Sequence, residues 1–525
     1  MPNALDQLPP ELKEIFVQLS QDHQRITQDH QKVLEDYQRV QFENKLLREK
    51  LRALLIKKYG PSSEKLSDNQ LQLLEQEISV CAAEVEQEAT QAQAPAAPPV
   101  RRAKRKHPGR EELPRHLERR EVRVACPPEE CICPHCQMEK AIIGYEESEE
   151  LDVIPAQYFV KVIVREKRAC PRHPEGGVSS GPCPSKIIPK GKLSDGMVVD
   201  VLVKKFGDHI PAFRQSLILE RDAGIELSRQ TLVGVIMKSG TLLEGLMPVL
   251  KNDLLAGQYI QSDETRVPCQ TPLVQGRNHQ AYMWEFSRPG GPVVFEFKMG
   301  RSRAGPKEFL QGFGGILQCD GYVAYDKLGE GIEYAGCWAH ARREFHRAHQ
   351  LQQQDPRPLE ILKLIGQLYE WERQARQGGA SPEQRLVLRQ EQSRPVVEQL
   401  GQRIRAIRAE ADILPASQLG KACEYAMGQW KRLQVFLHHG QVEIDNNWCE
   451  NAIRPLAIGR KNWLHIGSEE AGPRIAAIVS IFETCRRLDI NPRTYLLEIL
   501  PQLADWPAQR VAQLSPMAWK SRQAA

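Results

Sequence analysis

Leu19, Ile26, Val33, Val40, Leu47 and Leu54 recur every seven residues near the N-terminus, with Phe16, His23, His30, Tyr37, Asn44 and Leu51 at the companion positions. A sustained heptad excludes a strand and specifies a helix whose apolar seam winds around another helix. The echo of Gln21-Asp22-His23-Gln24-Arg25-Ile26 in Gln28-Asp29-His30-Gln31-Lys32-Val33 repeats the same register. From Leu12 to Ile56 such a helix runs roughly 65–70 Å at 1.5 Å per residue. One straight helix cannot bury that seam alone, so the spacing predicts a coiled coil and a homo-oligomer. The competing readings are an antiparallel hairpin and docking on the chain's own body. His23 and His30 read as tolerated seam residues, and Asn44 is placed to fix the register.

Gly60-Pro61 ends this helix, and a short helical stretch leads into residues 86–100, rich in Gln, Ala, Pro and Glu. That composition buries too little to fold and reads as a linker. The basic run that follows, with Arg101, Arg102, Lys104, Arg105, Lys106 and Arg110 around His107-Pro108-Gly109, suits phosphates or a minor groove. Next come two knuckles, Cys133-Pro134-His135-Cys136 and Cys170-Pro171-Arg172-His173. Cys133, Cys136, Cys170 and His173 form a closed tetrahedral set for a structural zinc ion. The 33 residues between the knuckles are bridged if 152–168, which alternates like a hairpin, folds back. Cys183, Cys131 and Cys126 remain alternatives to His173. Further on, Gly224 and Ser228 punctuate two helical stretches, and Ser228 as N-cap exposes Arg229, Gln230 and Thr231 in the next first turn. This reads as helix-turn-helix DNA recognition, although any helical hairpin with a glycine turn looks the same.

The densest chemistry lies between Glu443 and Trp463, where Asp445, Asn446, Asn447, Glu450, Asn451, Arg454, Arg460 and Lys461 replace the apolar period of an ordinary helix. In a helix, Glu450 and Arg454 share one face, so a metal-binding carboxylate and a phosphate-binding cation meet the same substrate. Two strand-like runs, Tyr259-Ile260-Gln261-Ser262-Asp263 and Ile316-Leu317-Gln318-Cys319-Asp320, each end in an aspartate. Asp263, Asp320 and Glu450 then converge on two divalent cations, and hard oxygen ligands suit magnesium or manganese. Such a pair of ions serves in-line phosphoryl displacement at DNA. Glu264 and Asp445 are the nearest competing carboxylates. The 129 residues between Asp320 and Glu450 are too many for a loop. Leu359, Ile361, Leu362, Leu364, Ile365 and Leu368 recur near helical spacing, as do Leu386, Leu388, Val396, Leu400, Ile404 and Ile407, so a helical insertion fills the gap.

With these residues in place, the chain resembles the insertion-sequence-66-type DDE transposases over nearly its whole length. The matching blocks are Gly60 to Leu66, the cysteine cluster, Ser262-Asp263-Glu264-Thr265, Cys319-Asp320-Gly321-Tyr322, Gly336 to Arg343 and Asp445 to Trp463. The resemblance implies a ribonuclease-H-like core with Asp263, Asp320 and Glu450 as metal ligands. It also implies cleavage of element ends, attack of the released 3′-hydroxyl on target DNA, and accessory proteins from the same element. Family members often carry Cys where His173 stands.

The expected fold is a multidomain α/β chain. Its parts are a coiled-coil region (1–84), a linker with the basic segment (85–120), a zinc-binding module (121–188) and a helical, DNA-binding region (189–250). The core's first part (251–345), a helical insertion (346–440), the last core helix with Glu450 (441–487) and a helical tail (488–525) follow. A net charge of +4 is modest, so DNA affinity rests on local patches. Thirteen cysteines, an odd number, fit reduced thiols and a metal site better than a disulfide framework. No run of about 20 apolar residues and no basic-then-apolar leader is present, so no membrane contact and a cytoplasmic, nucleoid-associated location are expected. The alternatives are a catalytically inactive DNA-binding regulator derived from a transposase, which would be free to lose the three carboxylates, and a coiled-coil scaffold, which leaves the C-terminal block unexplained.

Overall fold

The computed structural model describes residues 191–272 and 278–524 continuously. It also describes 157–169, 178–182, 184, 186–189 and separate positions at 18–52, 131, 135 and 138. One compact unit comprises residues 1–75 and 161–525, and a second comprises 76–160.

In the first unit the described N-terminal positions are helical. The seam residues Leu19, Ile26, Val33, Val40 and Leu47 are 52–68% exposed, so the described residues do not bury that part of the seam. Arg52 at its far end donates to the Leu351 carbonyl at 3.0 Å. A short antiparallel pair joins β1 (Lys167–Ala169) to β2 (Val178–Ser180). Among the described residues of the alternating stretch 152–168, Phe159, Val160, Val162 and Val164 stand in solvent, and Lys167 and Arg168 pair with Ser180 and Ser179 of β2.

Helices α1 (Asp195–Phe206), α2 (Ala212–Ala223), α3 (Arg229–Glu244) and α4 (Met247–Leu255) follow. Ser228 caps α3 by accepting from the Thr231 N–H at 3.1 Å, and Gly224 ends α2 in the left-handed region (φ 62°) that favours glycine. Arg229, Gln230 and Thr231 are exposed, but Leu232, Val235, Ile236 and Leu243 of the same helix are core residues. Leu232, Val235 and Ile236 thus fix the inner face of α3 against the core and leave its first turn in solvent.

Five strands form a mixed sheet: β3 (Tyr259–Cys269), β4 (His279–Ser287), β5 (Val293–Lys298), β6 (Ile316–Gln318) and β7 (Glu333–Ala335). Their order is β5-β4-β3-β6-β7, with β4 antiparallel to both neighbours and β6 and β7 parallel to β3. The short α5 (Ala304–Phe309) joins β5 to β6. After β7 come α6 (Trp338–Leu351), α7 (Pro356–Gln377), α8 (Pro382–Leu388), a π-turn at 389–393, α9 (Arg394–Ala409), α10 (Gln418–Gly428) and α11 (Trp430–Leu433). The chain returns through α12 (Asn447–Trp463), α13 (Ala471–Arg487), α14 (Pro492–Leu503) and α15 (Pro516–Ala524). The architecture is thus mixed α/β with a helical majority.

Strand periodicity sends successive side chains to opposite faces, and the sheet accordingly divides two cores. Tyr259, Ile316 and Ala335 join Trp338, Phe345, Ile365 and Ile404 in the core of the insertion. Ile260 and Leu317 face the other way, into a core shared by α1, α3, α13, α14 and the C-terminal Trp519. Residues 189–250 and the tail therefore pack with the sheet around one interior. Small residues let α13 lie close to it: a methyl on Gly472 would sit 2.1 Å from the Phe297 ring. The outer edge of β5 is covered by the same helix, since Ser480 Oγ accepts from Phe295 N–H at 2.8 Å and Thr484 Oγ1 accepts from Val293 N–H at 3.0 Å. That satisfies an edge otherwise free to pair with another strand.

Candidate active site

The register of β3 against β6 brings two aspartates together. Tyr259 pairs with Ile316 and Gln261 with Gln318, so the odd positions of β3 and the even positions of β6 share a face. Continuing each by two residues places Asp263 and Asp320 on that face. Asp263 does not end its strand, as the sequence suggested: it is the fifth of eleven residues, because β3 runs on alongside β4 after its pairing with β6 stops. What ends at this level is the parallel part of the sheet. Asp320 lies two residues beyond β6 and its Oδ1 accepts from Tyr322 N–H at 2.9 Å, folding the chain away from the strand.

Glu450 comes from the first turn of α12. Arg343 donates to its two oxygens at 3.4 and 3.5 Å, and His340 Nδ1 stands 3.8 Å from Oε1. Both basic groups rise from the first turns of α6, which begins directly after β7. His340 Nδ1 is buried and bonds to no described residue, while Trp338 of the same block is core, its indole donating to Leu433 O at 2.8 Å. Burial, and then the neighbouring Arg343, lower the His340 pKa.

Electrostatics tie the three carboxylates together. Burial pushes the Asp263 carboxyl well above the usual range, and the charges of Glu264, Asp320 and Glu450 push it further. A divalent cation would relieve that repulsion, and the donors are all hard oxygens. Among the described residues no three His, Cys, Asp or Glu side chains enclose one ion as placed. A two-ion site does not require it, since magnesium takes one or two carboxylates and completes its shell with water and phosphate oxygens.

The competing carboxylates are otherwise engaged. Glu264 points to the opposite face, held by Arg301 Nε at 2.7 Å and Tyr325 Oη at 2.7 Å. Asp445 accepts from the backbone and side-chain amide of Asn447 at 3.1 and 2.8 Å and so starts α12.

Arg454 and Lys461 are exposed on the face of α12 that carries Glu450. Arg460 instead turns to β3, donating to the Arg266 carbonyl and to Thr265 Oγ1. Pro455 interrupts the helix ladder, and the Asn451 carbonyl it would have met accepts from Arg486 at 3.3 Å. The basic residues Arg101, Arg102, Lys104, Arg105, Lys106 and Arg110 and the zinc candidates Cys133, Cys136, Cys170 and His173, with Cys126 and Cys183, lie outside the described residues.

Two features escaped the sequence reading. Gln261 and Gln318, fully buried beneath the aspartates, bond to each other, to Tyr259 and to the chain entering α12. A polar residue alternating in step with a candidate ligand was the available signal. Glu285, opposite Asp263 in β4, is fully buried and accepts from the Cys449 thiol.

The chain matches the Transposase IS66 family over residues 190–474 and the IS66 C-terminal element over 480–517. Residues 46–122 match "Transposase C of IS166 homeodomain", and 130–172 the zinc-finger binding domain of transposase IS66. Among curated proteins, the uncharacterized protein y4hP of Sinorhizobium fredii is 32% identical over 505 residues, covering 91% of this chain and 88% of the relative. Uncharacterized protein y4qI of the same organism is 31% identical over 493 residues, covering 90% and 88%.

Burial raises the Glu285 pKa from 4.5 to about 7. A folded-state pKa above the unfolded one contributes stability that is complete below about 4.5 and is lost as pH rises through about 7. Glu285→Gln, which cannot ionise, should flatten that decline in urea unfolding at about pH 5 to 8 with chelator present. Parallel pH profiles for the two proteins would contradict the assignment.

Proposed function

The chain belongs to the IS66 family of transposases, and on that premise we propose that it cleaves the ends of an insertion element and joins them to target DNA by metal-dependent phosphoryl transfer. The observation that carries this reading is the alignment of Asp263 and Asp320 on one sheet face beneath the helix turn that bears Glu450. A ribonuclease-H-like core is supported by a central strand with an antiparallel hairpin on one side and two parallel strands on the other. Asp263, Asp320 and Glu450 would hold two magnesium or manganese ions. When bound, such ions supply the positive charge that stabilises the attacking and leaving oxygens of an in-line displacement.

The remaining residues divide the work of holding DNA. Arg343 beside Glu450, with Arg454 and Lys461 further along the same helix face, offers a track of positive charge to the phosphate backbone. Arg229 and Gln230 at the exposed start of α3, and the basic segment from Arg101 to Arg110, extend the contact to the element end. Cys133, Cys136, Cys170 and His173 would bind a structural zinc, which elemental analysis of the purified protein tests. The exposed seam from Leu19 to Leu47 pairs two copies of the chain, and small proteins from the same element assist them. The location is cytoplasmic, at the nucleoid; no single described helix is long and apolar enough to cross a membrane.

Asp263→Asn, Asp320→Asn and Glu450→Gln should each abolish cleavage of an end duplex in magnesium while end binding persists. The charge that attracts metal is lost, but the basic contacts remain. Glu264→Gln and Asp445→Asn should retain more activity. Full cleavage by Glu450→Gln, or a covalent protein–DNA adduct, would overturn the reading.

Val40→Lys with Leu47→Lys should convert the full chain to monomers in light scattering. A wild-type chain that is already monomeric at tens of micromolar concentration, as a rough scale for such a seam, would contradict the pairing.

A further inference from the structure

Resting on the functional reading above, we propose that the helical insertion positions Glu450: Arg376 and Arg385 grip Glu443, and the buried segment from Glu443 to Asn446 carries that grip to the start of α12. The segment has no regular structure, yet all four residues are buried. Loops normally lie at the surface because their backbone polar groups need water. Here the four carbonyls and the Glu443 N–H are met by the protein, which fixes the path of the chain four residues before Glu450.

The sheet and α6 supply one half of the hold. Tyr259 Oη accepts from Glu443 N–H at 3.2 Å, Gln318 Nε2 donates to Glu443 O at 2.8 Å, and Trp338 N–H donates to Ile444 O at 3.1 Å. Gln261 donates to Asp445 O at 2.9 Å and accepts from Cys449 N–H at 3.2 Å, spanning the turn into α12.

The insertion supplies the other half. The Glu443 carboxylate, 9% exposed, meets Arg376 of α7 at 2.8 Å and Arg385 of α8 at 3.1 Å. Arg385 also binds Glu372 at 2.7 Å, and Glu372 binds Arg389 of the π-turn at 2.6 Å. Arg389 is fully buried and donates to Phe436 O and His439 O at 2.9 and 2.8 Å, on the chain that leads into the segment. The network therefore holds the stretch from Phe436 to Glu443 at two places, the Phe436 and His439 carbonyls and the Glu443 carboxylate. Buried ion networks add little net stability compared with well-packed apolar residues, whereas they impose geometry. A network of this kind is suited to holding one segment in one path, and the segment it holds ends at a candidate metal ligand. Partners of ligating carboxylates typically change metal affinity or activity about 10–100-fold when removed.

The test uses the full chain. Mn²⁺ binding to the metal-free protein is measured by electron paramagnetic resonance, alongside single-turnover cleavage of an end duplex, end affinity and thermal melting. The double variant Arg376→Gln, Arg385→Gln should lose roughly 10–100-fold in both Mn²⁺ affinity and cleavage rate, with end affinity changed less than about threefold. Arg385→Lys should recover part of the loss. Arg357→Gln is the control, since Arg357 joins a separate cluster with Asp355, Glu410 and Asp412 in the same insertion and should leave Mn²⁺ affinity unmoved. If the double variant does not fold, Arg376→Gln alone is judged by the same criterion, because that side chain is mostly exposed. Unchanged Mn²⁺ affinity and rate in the folded variants, or an equal loss in Arg357→Gln, would overturn the inference alone. Wild-type protein that neither binds Mn²⁺ nor cleaves with metal would instead overturn the functional reading beneath it.

Discussion

Gln261 joins the two halves of the site. Its amide lies one alternation below Asp263, reaches the chain on both sides of Asn446, and meets Gln318 one alternation below Asp320. A buried primary amide is costly unless its donors and acceptor are met, and here they are met by atoms that must be placed for Glu450 to approach the aspartates. Sheet register and helix docking thus become a single condition. Loss of either would leave an unpaired polar group in the interior.

Above that layer the energetics reverse sign. Burial, and then the charges of Glu264, Asp320 and Glu450, push the Asp263 pKa well up, which favours any ligand that brings positive charge. Arg343 offsets part of the charge on Glu450, and Arg301 offsets part of that on Glu264, which still adds to the load on Asp263 together with Asp320 and Glu450. The rigid surroundings matter because a carboxylate able to swing away would lose its share in the site.

Much of this was legible in the sequence because local patterns carry it. The heptad placed the N-terminal helix, strand-like runs placed Asp263 and Asp320 near strand level, and the polar block from Glu443 to Trp463 announced an unusual helix. Asp263 was misread as a strand end because the polar residues Glu264, Thr265 and Arg266 that follow it end the apolar signal, whereas pairing with β4 carries β3 on to Cys269. Gln261 and Gln318 showed only as polar residues alternating in step with the aspartates and Glu285 not at all, because a buried polar residue looks like an exposed one until its partners are known. The ties between Glu443 and Arg376 and Arg385 span 67 and 58 residues, beyond any local pattern. The ion network of the insertion therefore emerged only with the fold.

The central claim is that Asp263, Asp320 and Glu450 share a pair of divalent ions in the crevice at the end of the parallel sheet. Anomalous diffraction from crystals of the full chain with an element-end duplex and manganese tests it most directly. The account predicts two peaks, both within about 2.0–2.6 Å of an Asp263 oxygen, one also touching Asp320 and the other Glu450. Manganese bound instead by Glu264 or Asp445, or DNA seated in the crevice with no metal at Asp263, would contradict it.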